Sequence, residues 1–237
     1  MRANLIPAHL CWTWQVNCVS HGGRRLPHGK VASSVMGLTL SHPLILASAS
    51  PRREELLRLL GLDFQVIPSR VDETFFVNER PGEHVLRLAE NKAHVVALMH
   101  PQAWVLGADT IVVIDGEVLG KPADPPAAAR MLEKLSGRTH EVYTGFALLR
   151  LAARITVRQE VRSSVTFRNI SPDEKMWYIR SPEPYDKAGA YAVQGLGAFF
   201  IKEISGSYTN VMGLPLCEVV DALKTVGALS FTPPPEG

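Results

Sequence analysis

The sequence has few cysteines, no long apolar run and no large excess of either charge. Three cysteines in 237 residues are too few for a disulfide framework, so a reducing compartment, the cytoplasm, is expected. No apolar run approaches the roughly 20 residues that a membrane-spanning helix needs, and we expect no membrane partner. The 25 basic and 23 acidic residues leave a formal net charge of only +2, which argues against nucleic-acid binding. A polyanion would have to bind in a focused pocket.

Acidic residues are missing from the first part of the chain. Residues 1–42 contain four basic residues and no acid. We interpret them as an N-terminal extension: a targeting peptide, a disordered segment or, as we prefer, the product of an incorrectly chosen start codon, with Met36 as the alternative start. Residues 43–228 are expected to form one α/β domain, and residues 229–237 a frayed tail.

Two arginines at the start of a predicted helix indicate a bound anion. Leu44–Ala47 reads as a short apolar strand, and Ser50 is placed to cap the helix that follows. Arg52 and Arg53 then lie in the first turn, where the helix dipole disfavours cations unless an anion joins them. Free backbone amides and the hydroxyls of Ser48 and Ser50 would complete an anion site. In the alternative interpretation, the arginines pair with carboxylates on the same surface helix.

Three more charged residues stand out in apolar surroundings. Lys92 falls on the apolar face of a helix predicted over residues 81–100, so its ammonium either reaches out to water or points into a cleft. Asp109 interrupts a nearly continuous apolar strand pair within residues 104–114, where it either caps a turn or has a metal or basic partner. Lys121 is presented by a rigid Gly-Lys-Pro turn.

The rest of the body alternates strands, helices and one glycine-rich loop. Further strands are predicted over residues 64–68, 140–149, 155–167 and 198–204. Further helices are predicted over residues 126–135, 172–180 and 215–226. The polar loop 183–197 contains Asp186, Lys187 and Gln194 beside glycines, which permit a close approach of backbone to ligand but also serve in plain turns.

The motifs occur in an order that resembles the Maf family of nucleoside triphosphate pyrophosphatases. They are SASPRR (48–53), VDE (71–73), ENKA (90–93), GADTIV (107–112), GKP (120–122) and DKAGAYAVQG (186–195). The resemblance covers about residues 43–226. It implies hydrolysis between the α- and β-phosphates with a divalent metal, Mg²⁺ or Mn²⁺. It also implies a homodimer and a two-lobed Maf/ITPase-like α/β fold, with a long mixed twisted sheet flanked by helices and an active-site cleft between the lobes.

The same resemblance assigns roles to single residues. It places the general base on Asp109 and base selection on Arg52, Thr110 and Gln194. The DKAGAYAVQG segment is similar to the subgroup that acts on dTTP and UTP, rather than to the one that acts on 7-methyl-GTP. Ala192 is a departure, because many members of the pyrimidine subgroup have glycine there, and alanine restricts positive φ.

The candidate site divides into three sets of residues. The catalytic candidates are Asp109, Glu73, Lys92 and Lys121. The substrate-binding candidates are Ser48, Ser50, Arg52, Arg53, Thr110, Asp186, Lys187 and Gln194. Glu73 and Asp109 are the expected metal ligands, since Mg²⁺ prefers oxygen ligands and leans on substrate phosphates, and either could be the base. Modified pyrimidine nucleotides remain alternative substrates, and nucleotide sensing or regulation of cell division remains an alternative function.

Overall fold

The structure, a computed structural model, describes residues 37–231. Its strands are β1 (Leu38–Leu40), β2 (Leu44–Leu46), β3 (Phe64–Val66), β4 (Trp104–Ile114), β5 (Glu117–Leu119), β6 (Thr139–Arg150), β7 (Ile155–Phe167), β8 (Ile201–Ser205) and β9 (Leu229–Phe231). Its α-helices are α1 (Pro51–Arg58), α2 (Pro81–Met99), α3 (Pro125–Leu135), α4 (Pro172–Ile179), α5 (Tyr208–Met212) and α6 (Leu216–Thr225). Met36, the suggested alternative start, lies outside the described residues.

Seven strands form one long mixed sheet in the order β3-β2-β4-β6-β7-β8, with β5 added beside β4. β2 runs parallel to β3 and β4, whereas the pairs from β4 to β8 are antiparallel. The alternation of apolar and polar residues in β7 is what an antiparallel strand with one wet face requires. The predicted mixed α/β sheet flanked by helices is confirmed.

One face of this sheet carries two separate apolar clusters. The first packs α1 and α6 against the start of β4, and the second packs α3 and α4 against its end. Between the clusters, Thr110 of β4 lies opposite Thr144 of β6, so a polar strip divides the two apolar halves. The two clusters are the cores of two lobes, and the strip marks the floor between them.

The other face is covered by α2, which approaches the sheet very closely. A Cβ on Gly107 would lie 2.3 Å from the carbonyl oxygen of Ala89, and one on Gly145 would lie 2.5 Å from the backbone of Val85. Side chains at these two sheet positions would therefore push the helix away. The glycines fix how near α2, and any functional group on it, can come to β4.

The folded body extends beyond both predicted boundaries. Leu38–Leu40 pairs antiparallel with Leu229–Phe231, so part of the predicted extension 1–42 and part of the predicted tail 229–237 form a small sheet. The predicted extension and tail were drawn across these two strands because three-residue strands give almost no periodic signal. Residues 1–36 and 232–237 lie outside the described residues.

Two internal predictions also need correction. The apolar stretch around Asp109 is one uninterrupted strand of 11 residues, since its polar members remain paired with β6. The strand predicted over residues 198–204 begins only at Ile201, because Leu196–Phe200 forms a 3₁₀ turn. Ser50 occupies the N-cap position of α1 as predicted, but its side chain makes no capping hydrogen bond.

Candidate active site

A cavity of about 420 Å³ opens between the two lobes. Every residue predicted for the site lines it: Ser48, Ser50, Arg52, Arg53, Glu73, Lys92, Asp109, Thr110, Lys121, Asp186, Lys187 and Gln194. These residues come from six separate stretches of the chain, so the fold has gathered both charges and hydroxyls at one place. The cavity has a size suited to a small-molecule ligand.

The cavity lies at a gap in one edge of β4. Along that edge β2 pairs with Trp104–Leu106 and β5 pairs with Val112–Ile114, so the residues between have no strand beside them in the described part of the chain. Asp109 and Thr110 occupy this gap. Successive residues of a strand face opposite sides of a sheet, yet here both reach the cavity. The gap also follows the carboxyl ends of parallel strands, where ligands bind in open α/β sheets.

The centre of the cavity is an ammonium shared by two carboxylates. The Nζ atom of Lys92 lies 2.7 Å from Oδ1 of Asp109 and 2.6 Å from Oε1 of Glu73. The side chains of Lys92 and Asp109 are only 9% and 11% exposed, whereas that of Glu73 is 62% exposed. The interpretation of Lys92 as pointing into a cleft is confirmed, and so is that of Asp109 as a carboxylate with a basic partner. Burial requires such pairing.

Glu73 is more exposed than Asp109, and nearby cations stabilise its ionised form. Burial acts to raise the pKa of its carboxyl, but the hydrogen bond from Lys92 and the charges of Lys92, Lys121 and Arg53 outweigh burial and hold the pKa below its ordinary value. Glu73 is therefore ionised at neutral pH.

The loop that carries Glu73 is fastened to α2. Arg87 donates from Nη2 to the carbonyl oxygen of Thr74 at 3.0 Å and to Oε2 of Glu79 at 2.8 Å. His84 contacts the same Glu79 oxygen at 2.9 Å, and the ring of Phe75 stacks on His84. The hydrogen bond from Arg87 holds the pKa of Glu79 down to about 2. The backbone next to Glu73 is thus anchored by an ion pair and a stacked ring.

Arg53 differs from its sequence-based expectation. Its guanidinium is buried and donates to the carbonyl oxygens of Gly213 at 2.7 Å and Ala108 at 2.8 Å, to Oγ of Ser48 at 3.2 Å and to Oγ1 of Thr110 at 3.0 Å. Four of its five N–H groups therefore bind the protein. Burial lowers the pKa of Arg53, against the opposing charge of Asp109.

These contacts give Arg53 a structural part in the cavity wall. By binding the carbonyl of Ala108 it supplies a partner at the open edge of β4. Arg52, its neighbour, is half-buried and makes no side-chain hydrogen bond within residues 37–231. Neither arginine pairs with a carboxylate of its own helix; it is Arg58 that pairs with Glu54. Of the two, Arg52 is the one whose donors are available to a ligand.

The glycine-rich loop closes the far side of the cavity. Nζ of Lys187 contacts the Asp186 carboxylate and donates to the carbonyl oxygen of Glu183 at 3.1 Å. Burial acts to raise the pKa of Asp186, but the hydrogen bond from Lys187 and the charges of Lys187 and Arg52 lower it overall. Ala192 has an ordinary negative φ, so the departure from glycine causes no backbone strain; the non-glycine residue with positive φ in this loop is Ala190.

Sequence reasoning missed the segment that supports Thr110 from behind. Oγ1 of Thr110 lies 2.9 Å from Oγ1 of Thr144, which donates to the carbonyl oxygen of Asn210 at 3.1 Å. The buried Asn210 amide donates in turn to the carbonyl oxygen of Val142 at 3.1 Å and to Oγ of Ser163 at 2.9 Å. The one signal was Ser207, whose hydroxyl caps α5, although capping alone does not indicate a site.

Two carboxylates of the cavity are placed to share a metal ion. Within residues 37–231, no group of three or more histidine, cysteine, aspartate or glutamate side chains could enclose an ion. Glu73 and Asp109 alone provide carboxylate oxygens that share one cationic partner. That set fits Mg²⁺, which is held by one or two carboxylates together with waters and substrate phosphates. None of the helices in the same range is long and apolar enough to cross a membrane.

Comparison with known proteins gives a family match, curated relatives and a solved structure. A family model described as Maf-like protein matches residues 43–226, a range that includes every cavity residue named above. A curated dTTP/UTP pyrophosphatase of Syntrophus aciditrophicus is 61% identical over 193 residues, which are 81% of this chain and 94% of that protein. The dTTP/UTP pyrophosphatase of Myxococcus xanthus is 53% identical over 184 residues, 78% of this chain and 92% of that protein. The solved structure of the Staphylococcus aureus Ham1 protein aligns with 78% of this chain and 99% of its own, at 15% identity and a TM-score of 0.46.

Proposed function

The chain belongs to the Maf-like protein family, and on that basis we propose that it hydrolyses nucleoside triphosphates, dTTP and UTP in particular, to the monophosphate and pyrophosphate. The observation that carries the proposal is the contact of buried Lys92 with both Asp109 and Glu73 inside a cavity of nucleotide size. A protein that only sensed nucleotides would need cations to offset charge, but it would not need a buried carboxylate. The sensing and division-regulating alternatives are therefore not favoured.

The cations of the cavity match the charge of the substrate. A triphosphate carries about four negative charges at neutral pH, since its terminal phosphate ionises near pH 6. The cavity presents Arg52, Lys92, Lys121 and Lys187 from four different segments, together with Arg53 in its wall. Groups fixed in this way stabilise the charge that develops on the leaving pyrophosphate. Lys121 is exposed on a rigid turn and can reach the outer phosphates.

The two carboxylates are assigned to activating water and to holding metal. In the reaction, water oxygen bonds to the α-phosphorus, the bond from that phosphorus to the bridging oxygen breaks, and pyrophosphate leaves. Oδ1 of Asp109 is occupied by Lys92, so its second oxygen accepts the proton of the attacking water. A divalent cation, Mg²⁺ or Mn²⁺, would be held by Glu73 and Asp109 and would supply positive charge at the phosphate oxygens. Lys92 orients both carboxylates.

Base recognition is assigned to the loop side of the cavity. The Gln194 amide offers one donor and one acceptor, which suits the O4 and N3–H edge of uracil or thymine. Arg52 and Thr110 line the same cavity. Guanine presents a different edge and a larger ring system, so 7-methyl-GTP is a poorer fit. The related pyrimidine nucleotides that carry small modifications would fit the same edge.

The enzyme is proposed to act as a cytoplasmic homodimer, without nucleic acid or membrane as a partner. Sedimentation of the purified protein at micromolar concentration tests the dimer, and a monomer mass would contradict it. Deleting residues 1–36 and comparing activity and mass tests whether the extension contributes to either.

Pyrophosphate release across a nucleotide panel is the direct test. We expect release from UTP and dTTP with Mg²⁺ or Mn²⁺, and none after chelation. Asp109→Asn should lower turnover by orders of magnitude and leave the fold intact, while Asp221→Asn, an exposed carboxylate on α6, should leave turnover unchanged. Release from no nucleotide would contradict the enzymatic proposal, near-normal turnover of Asp109→Asn would remove that residue from the mechanism, and faster cleavage of 7-methyl-GTP would contradict the pyrimidine preference.

A further inference from the structure

One carboxylate outside the charged centre gathers three hydrogen bonds at the base-recognition loop. Oε1 of Glu183 accepts from the hydroxyl of Tyr178 and from the amide of Gly197, both at 2.9 Å, and Oε2 accepts from the amide of Leu196 at 2.8 Å. Two of these donors are the backbone of the segment directly after Gln194. A carboxylate that accepts several backbone N–H groups makes some of the strongest hydrogen bonds available to a protein.

The chain after Gln194 lies directly on this carboxylate. Gly195 has a φ of +129°, and a Cβ there would lie 2.3 Å from Oε2 of Glu183. A side chain at this position is therefore excluded twice, by backbone conformation and by space. The turn beyond Gln194 is shaped around the Glu183 carboxylate.

Glu183 also fixes the other end of the loop. Its carbonyl oxygen accepts from Nζ of Lys187 at 3.1 Å, and Lys187 lines the cavity. One residue thus holds both Lys187, one of the cations of the cavity, and the segment that carries Gln194. The separation between these two groups depends on Glu183.

The anchor beneath Glu183 is rigid. Tyr178 is fully buried on α4, and its ring packs at right angles to that of Phe200 with 5.1 Å between the centroids. Burial, followed by the hydrogen bond to Glu183 and the Glu183 charge, raises the pKa of Tyr178, so the hydroxyl stays protonated and donates at neutral pH. The loop is therefore tied to the core of its lobe through one hydroxyl.

We propose that Glu183 is the positioning residue for base recognition: its carboxylate holds the segment that carries Gln194, while its backbone carbonyl holds Lys187. This inference rests on the proposed function and extends it to a residue that touches neither substrate nor metal. Losing hydrogen bonds to the Glu183 carboxylate should weaken substrate binding and base discrimination. The kcat should change little, because Asp109, Lys92 and Glu73 stay in place.

Glu183→Gln tests the hydrogen bonds of this carboxylate with little change in side-chain volume. The amide replaces one acceptor by a donor that faces existing donors, so at least one hydrogen bond is lost. We expect the KM for UTP to rise about tenfold, the effect of losing one hydrogen bond to a charged group. The kcat should change by less than about threefold, and the preference for UTP over GTP in kcat/KM should fall. Hydrogen exchange of a peptide covering 190–198 should become faster.

Glu174→Gln is the matched control. Glu174 also receives a backbone amide and a side chain at α4, from Ser171 and Arg168, but does not contact the loop. It should lower thermal stability without altering KM, base preference or exchange of the 190–198 peptide. If Glu183→Gln does not fold, Tyr178→Phe removes a single bond to the same carboxylate, and we expect a smaller rise in KM with the same direction of base preference.

The outcomes separate this inference from the function beneath it. If the unmodified protein releases no pyrophosphate from any nucleotide, the proposed function fails. If the unmodified protein is active but Glu183→Gln, or Tyr178→Phe in its place, keeps the original KM and base preference, the positioning role is overturned. A fall in kcat at constant KM, matched by the Glu174 variant, would also overturn it, because that result reports only general destabilisation.

Discussion

Replacing Arg53 by lysine separates a structural arginine from a phosphate ligand. The guanidinium reaches Gly213, Ala108, Ser48 and Thr110 in four directions. An ammonium is a single point and cannot occupy both arms of the fork. At least two of these hydrogen bonds should be lost, and each bond from a charged group contributes about 1.5–3 kcal/mol. We therefore expect a loss of at least about 3 kcal/mol in the free energy of unfolding.

The measurement is thermal unfolding without nucleotide. For a protein of this size, each kcal/mol shifts the Tm by about 2–4 °C, so Arg53→Lys should lower it by about 6–12 °C. Arg52→Lys is the matched control: the same substitution one residue earlier, at a side chain that makes no hydrogen bond in the described range. It should leave the Tm within about 1 °C and raise the KM for UTP.

Equal, small Tm shifts in the two variants would refute the reasoning. That result would mean that Arg53 is held by ligand rather than by the protein, as the helix-dipole argument from sequence alone suggested. A Tm loss in Arg53→Lys that saturating UTP fully reverses would point the same way.

Three further predictions concern the buried groups and the packing of α2. Burial lowers the pKa of His140 to about 4, so as the pH falls the unfolded chain binds the extra proton before the folded protein does, and about 3 kcal/mol of stability should be lost between pH 6.5 and pH 4. Urea unfolding should show this pH dependence in the parent and not in His140→Gln. The same pH dependence in both proteins would contradict the prediction. Gly107→Ala should lower the free energy of unfolding by about 2 kcal/mol or more and also lower turnover, because the new methyl group would meet the backbone of α2. Gly120→Ala is the control: its methyl group would meet nothing within 4 Å, so the same urea unfolding should show no change. Equal losses in the two variants would contradict the close approach of α2. Lys92→Met leaves the buried Asp109 carboxylate without its basic partner and should lower the free energy of unfolding by about 3–5 kcal/mol. Lys134→Met, at an exposed ion pair, should lower it by less than about 1 kcal/mol. Similar losses of the two variants in chemical denaturation would count against a buried pair.

Sequence reasoning succeeded where a physical conflict was visible in the residues themselves. Lys92 on an apolar helix face and Asp109 inside an apolar strand each needed a partner, and the structure makes them partners of one another. The bounds of β7 were predicted correctly because its alternation runs through 13 residues. A buried charge and a long periodic pattern can both be recognised from the residues themselves.

The remainder depended on contacts that no local pattern records. The acceptors of Arg53 include the carbonyl of Gly213, 160 residues away, and carbonyl groups are the same in every sequence. The supports of Thr110 lie on β6 and α5, and the pairing of Leu38–Leu40 with Leu229–Phe231 joins opposite ends of the body. The motifs predicted the residues that line the cavity, but only the fold shows which of them, such as Arg53, bind the protein rather than a ligand.

The gap beside β4 has a consequence for how this enzyme can change. Asp109 and Thr110 are consecutive, and they line one cavity because no strand of residues 37–231 lies beside this part of β4. In the proposed mechanism, the residue that accepts the proton and a residue that selects the base therefore lie on the same short piece of main chain. A substitution that shifts this piece to admit a new base also shifts the carboxylate that handles water, so altered specificity should be reached more readily through the opposite, glycine-rich wall.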